Sequence, residues 1–76
     1  MYQIKVTIIN SLGNFKGFLE VKEEASFEDI SELVDGLQRN INGLREITIT
    51  IDDGSELSFN KGVLEHSIIG FKIEEL

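Results

Sequence analysis

Between Ile47 and Phe59 the chain reads ITITIDDGSELSF, and Asp52, Asp53, Ser55 and Glu56 crowd oxygen-bearing side chains around Gly54. Side chains of this kind can cradle a calcium ion. A helix-loop-helix calcium site places ligands at loop positions 1, 3 and 5, a glycine at 6 and a glutamate at 12. With Gly54 as that glycine, position 5 is Asp53, but positions 3 and 1 are Ile51 and Ile49 and position 12 is Asn60. Three of the four ligands are missing, so the stretch is expected to be a turn that holds no metal.

Other chemistry is as thinly supplied. His66 is the only histidine and cysteine is absent, so zinc would need carboxylates for all its other ligands, which is uncommon. Ser67 adjoins His66, but neighbours along a strand point to opposite faces, which defeats a serine–histidine pair. Gly13-Asn14-Phe15-Lys16-Gly17 lacks the spacing of a phosphate loop or a dinucleotide fingerprint, and it lies between two strand patterns rather than ahead of a helix. No catalytic, cofactor-binding or metal-ligating residue is assigned, and the chain is not expected to be an enzyme.

The elements that position these residues follow from periodicity. Ile4, Val6 and Ile8 alternate with Gln3, Lys5 and Thr7 as a half-buried strand, and a second strand from Phe15 to Lys22 has Leu19 and Val21 facing the core. For even- and odd-numbered residues to share a face, their link must hold an even number of residues. Asn10-Ser11-Leu12-Gly13 fits as a four-residue loop that sets Ile4 opposite Leu19. At Ser26 the period changes. Phe27, Ile30, Leu33, Val34, Leu37 and Ile41 draw a helical stripe, with Ser26 as N-cap, Asp29 completing a capping box, and Gly43 after Asn42 as a left-handed stop. Gly36 weakens the helix or marks a close contact with the sheet.

Beyond the helix, Ile47 and Ile49 face Leu57 and Phe59 only across a loop of odd length, and Asp52-Asp53-Gly54 matches a type I turn with a bulge at Gly54. A last strand runs from about Ser67 to Glu74 with Ile69, Phe71 and Ile73 inward, after a connection with room for one helical turn. The fold class is α+β: a two-layer sandwich of one helix on a mostly antiparallel five-stranded sheet, order ββαβββ, with residues 1–76 as a single domain.

The 14 acidic against 7 basic residues give a formal charge of −7. That field opposes direct contact with nucleic-acid phosphates and anionic membranes, so a charged partner is expected to be basic. No apolar run reaches the roughly 18 residues of a membrane span, and the first residues alternate like a strand rather than a leader, so a cytoplasmic location is expected.

Two surfaces then stand out. By parity Ile9, Phe18 and Ile68 point away from the helix, and an apolar cluster on a face that should be wet marks a contact surface. Glu28, Asp29, Glu32 and Asp35 lie on the outward side of the helix, preceded by Glu20, Glu23 and Glu24; such an acidic density can imitate nucleic-acid phosphates and occupy a basic groove.

The leading hairpin, the helix after an acidic segment, the further strand, the short connection and the last strand resemble the β-grasp fold of ubiquitin. MYQIKVTIINSLGNFKGFLEVKEEASFEDI looks like its opening half in pattern, whereas the hairpin at Asp52-Asp53-Gly54 departs from it. Ubiquitin and the sulfur carriers of that fold end in a diglycine; this chain ends Ile73-Glu74-Glu75-Leu76, so the resemblance implies neither conjugation nor sulfur transfer. In composition, a short acidic chain without proline, cysteine or tryptophan is similar to accessory proteins of phages and prophages of low-GC Gram-positive bacteria, which often bind a host protein.

The expected function is therefore a non-enzymatic protein-interaction module that binds a partner, or itself, through the outer sheet face or a sheet edge. The alternative is an acidic inhibitor or nucleic-acid mimic that acts through the helix carboxylates.

Overall fold

The computed structural model describes residues 1–22 and 24–76. Along the chain come β1 (Tyr2–Asn10), β2 (Gly13–Leu19), α1 (Phe27–Arg39), a 3-10 turn (Ile41–Gly43), β3 (Glu46–Thr50), β4 (Glu56–Asn60), α2 (Lys61–Leu64) and β5 (Ile68–Glu75). The class is α+β, and the five strands form one antiparallel sheet in the order β4-β3-β2-β1-β5. The last strand is an edge strand antiparallel to β1. No helix among the described residues is long and apolar enough to cross a membrane.

Parity sets both hairpins as expected: Ile4 stands opposite Leu19, Ile49 opposite Leu57 and Ile47 opposite Phe59. The first loop is tighter than its four expected residues, because Asn10 and Gly13 themselves pair and leave Ser11 and Leu12 as the turn. The Asn10 side chain shapes it by accepting the Leu12 N–H at 2.8 Å, a local bond that asparagine offers readily. At the second hairpin, Gly54 N–H donates to Ile51 O at 2.9 Å and Ile51 N–H to Ser55 O at 2.9 Å, with Gly54 at φ +86°. Those bonds make Asp52-Asp53-Gly54 the bulged turn.

Helix α1 starts at the expected capping box. Asp29 N–H donates to Ser26 Oγ at 3.2 Å while Ser26 N–H donates to the Asp29 carboxylate at 3.2 Å. Its end differs from expectation. Asn40 closes the helix by donating from backbone and side chain to Gly36 O, at 3.1 and 2.9 Å, and the chain tightens into the 3-10 turn. Gly43 therefore has no left-handed role; the positive-φ glycines are Gly13 and Gly54. Nor does Gly36 touch the sheet, since a Cβ there would meet nothing within 4 Å.

The sheet is not flat. Beyond its single β2–β3 pair, Phe18 opposite Thr50, a flat ladder would set Phe59 level with Val21. That is six residues along from Phe15, about 20 Å at 3.3 Å per residue. Instead the Phe15 and Phe59 rings lie 5.4 Å apart. The β3–β4 hairpin has folded over the inner face of β2, and the crossing point is Gly17. A Cβ there would lie 2.8 Å from Thr50 O and 2.9 Å from Ile49 Cδ1.

The layer opposite β5-β1-β2 is therefore shared between the hairpin and α1. Ile47, Ile49 and Phe59 from the hairpin, Ile30 and Val34 from α1, and Leu64 from α2 bury Ile4, Val6 and Ile8 in one core. Because the hairpin covers part of the sheet, the helix stripe is narrower than expected, and Phe27 and Leu33 remain 51% and 47% exposed.

Gly17→Ala should overpack the crossing and destabilise the fold by about 1–3 kcal/mol. Ser26→Ala, which only removes a cap, should cost about 1 kcal/mol. Urea unfolding checks both, and a wild-type midpoint for Gly17→Ala would refute the close approach.

Candidate functional site

The outer face of β5-β1-β2 carries the side chains that alternate with the core. Its registers arrange them in rows. Ile9 stands opposite Asn14 and Ile68, Thr7 opposite Lys16 and Gly70, Lys5 opposite Phe18 and Lys72, and Gln3 opposite Glu74. Ile9 and Ile68 thus meet across the β1–β5 ladder, 40% and 73% exposed. Phe18 does not join them. It lies in the Lys5 row, four residues further along β1 or about 13 Å away, and is half-buried beside Thr50 where β2 and β3 pair. The expected cluster of Ile9, Phe18 and Ile68 is therefore an apolar pair plus a separate aromatic residue.

The rows also reveal a basic band. Lys5, Lys16 and Lys72, three of the seven basic residues, share this face. Lys5 and Lys72 stand directly opposite one another, a placement that costs stability when nothing neutralises it. Partial relief comes from the next row, where Glu74 lies 3.9 Å from Lys5 Nζ and accepts a 3.3 Å hydrogen bond from Gln3 Nε2. Parity had placed the apolar residues of this face; the same count applied to the charged residues would have found the band.

The edge beside this face is open. Leu76 N–H donates to Met1 O at 2.9 Å, which in this register makes Met1 and Leu76 a hydrogen-bonded pair. Antiparallel alternation then turns the N–H and C=O groups of Ile69, Phe71, Ile73 and Glu75 away from β1, at the free edge of the sheet.

On the opposite side of the molecule Glu28, Asp29, Glu32 and Asp35 are all exposed. Two of them are already engaged within the helix, Asp29 in the capping box and Asp35 at 4.0 Å from Arg39. Glu20 and Glu24 are exposed nearby, and Glu23 lies outside the described residues.

The acidic turn is occupied by its own hydrogen bonds. Asp53 Oδ1 accepts the Ser55 hydroxyl and, at 2.8 Å, the Ser55 N–H; these bonds hold its carboxyl below the ordinary carboxylate range. Among the described residues no three His, Cys, Asp or Glu side chains converge as a metal cage. The Ser67 hydroxyl donates to Val63 O at 2.7 Å and accepts from Asn10 Nδ2 at 3.1 Å, so it ties α2 to β1. His66 beside it is an exposed loop residue. A groove of about 520 Å³ between α1 and the segment after β2 is lined by the apolar Val21, Ala25, Ile30 and Leu33 and by the charged Glu20, Lys22, Glu24 and Asp29.

Comparison with protein-family models, with curated proteins and with solved structures gives no match.

The turn chemistry has a pH signature. Because the Asp53 pKa is depressed in the folded state, its contribution to stability is present above the ordinary carboxylate pKa and is lost as pH falls through the folded value. Carboxyl carbon shifts followed by NMR should give Asp53 a midpoint below the ordinary carboxylate range, and Ser55→Ala should raise it. An unchanged midpoint in that variant would assign the depression to another cause.

Proposed function

We propose that the chain is a small non-enzymatic protein-interaction module whose contact surface is the outer face of β5-β1-β2 at its open edge. The observation that carries this reading is the Ile9–Ile68 pair: two isoleucines face one another on the side turned away from the core, beside a strand edge with free backbone groups. Exposed apolar side chains next to an unpaired edge suit a partner that adds backbone hydrogen bonds and side-chain contacts together. Composition supports placing the chain among phage or prophage accessory proteins, for which the partner is a host protein.

The acidic-mimic reading has its own support in Glu28 and Glu32, which are exposed and have no ion-pair partner among the described residues. It draws less from Asp29 and Asp35, which already serve the helix.

One capture experiment separates the two readings. Proteins retained from a bacterial lysate by the wild-type chain are compared quantitatively with those retained by Ile68→Glu and by the double variant Glu28→Lys, Glu32→Lys. Ile68 is exposed enough that its substitution should change stability by no more than about 0.5 kcal/mol. A specific partner lost with Ile68→Glu and kept with the charge reversal is the expected result. The reverse pattern would transfer the function to the acidic helix.

A further inference from the structure

The charges on the two broad surfaces are ordered as well as opposite. On α1, Glu28, Glu32, Asp35 and Arg39 recur at steps of four, three and four residues and are all exposed, while Ile30 and Val34 are buried. At 100° per residue these four fall on one ridge, on the side of the helix away from the core. The ridge spans about 16 Å, and it runs from acid at its N-terminal end to base at its C-terminal end.

The outer sheet face runs from base to acid toward the N-terminal end of β1. Lys16 lies in the Thr7 row, Lys5 and Lys72 in the next, and Glu74 in the row after that. These three rows span about 13 Å. Laid along β1, the ridge would set Glu28 against Lys16, Glu32 and Asp35 against Lys5 and Lys72, and Arg39 against Glu74.

We propose that the ridge of one copy of this chain docks on the lysine rows of a second copy. This rests on the outer face being a binding surface, and it names the occupant. Each copy carries the ridge and the rows on opposite sides, so the contact is heterologous and copies add head to tail. The contact is small, since a 13-residue helix is about 20 Å long and 10 Å wide. It falls well below the roughly 800 Å² per partner of stable complexes, so association is weak and belongs to concentrations near the millimolar range.

Each copy also carries −7 overall. Below roughly 0.05 M salt that net repulsion reaches across the complex, at about 0.1 M it is screened beyond ~10 Å while paired charges still attract, and near 1 M both fade. Association should therefore peak at intermediate salt, whereas an apolar contact would not weaken at high salt.

Sedimentation of the purified chain across this salt series tests the proposal, together with two variants. Lys16→Gln with Lys72→Gln removes most of the rows and leaves the ridge; Glu28→Gln with Glu32→Gln does the converse. Each variant alone should associate roughly tenfold more weakly, and a 1:1 mixture should form heterodimers that grow no further. A dilution series of the wild-type chain followed by amide NMR needs no variant: shifts should gather on the lysine rows and on the ridge together. A wild-type chain that stays monomeric near the millimolar range would overturn the proposal, as would shifts confined to one face or a mixture no different from its components. The capture experiment with Ile68→Glu reports separately on whether the outer face binds another protein.

Discussion

The structure depends on the contact at Gly17. There the backbone of β2 passes within van der Waals distance of Thr50 and Ile49, which lets the β3–β4 hairpin leave the plane of the sheet and lie over it. A single helix could not cover five strands, and α1 buries only Ile30 and Val34. Folding the hairpin over brings Ile47, Ile49 and Phe59 onto the same core as Ile4, Val6 and Ile8. A 76-residue chain without disulfides must find its core in this economical way, because so little of its surface can be buried.

Much of this was legible in the amino-acid order, and the reason is period. In a strand the side chains alternate, so the identity of the inward residues dictates whether a loop is odd or even; that argument set Ile4 against Leu19 and Ile49 against Leu57 without any knowledge of the turn. Capping is equally local, and Ser26 with Asp29 announced the start of α1. The fold-over was hidden because it is a contact between residues more than thirty positions apart. A glycine at position 17 has several uses in a strand, and only the partner that approaches it tells which one applies. The end of α1 departs from the expected stop for a related reason: Gly43 is a common helix stop, but Asn40 reaches the free carbonyl of Gly36 first.

The candidate site was legible in part. Sequence parity placed Ile9, Phe18 and Ile68 on one face, but a face has length as well as sides. Registers separate Phe18 from the other two by four residues of β1. The lysine band is invisible to net charge, which is a property of the whole chain. An excess of acid over base says nothing about where seven basic residues lie, and here the sheet gathers three of them.

The edge strand and the charged rows bear on one another. Strand β5 offers Ile69, Phe71 and Ile73 with free backbone groups, the arrangement most prone to indiscriminate strand pairing. Its outer side carries Gly70, Lys72 and Glu74 in alternation with those apolar residues. A strand added at random would have to bring its own side chains beside Lys72 and Glu74, and an apolar one would leave those charges poorly solvated. The same two residues thus discourage nonspecific growth at the edge, so that the apolar pair at Ile9 and Ile68 can remain exposed without making the whole edge adhesive.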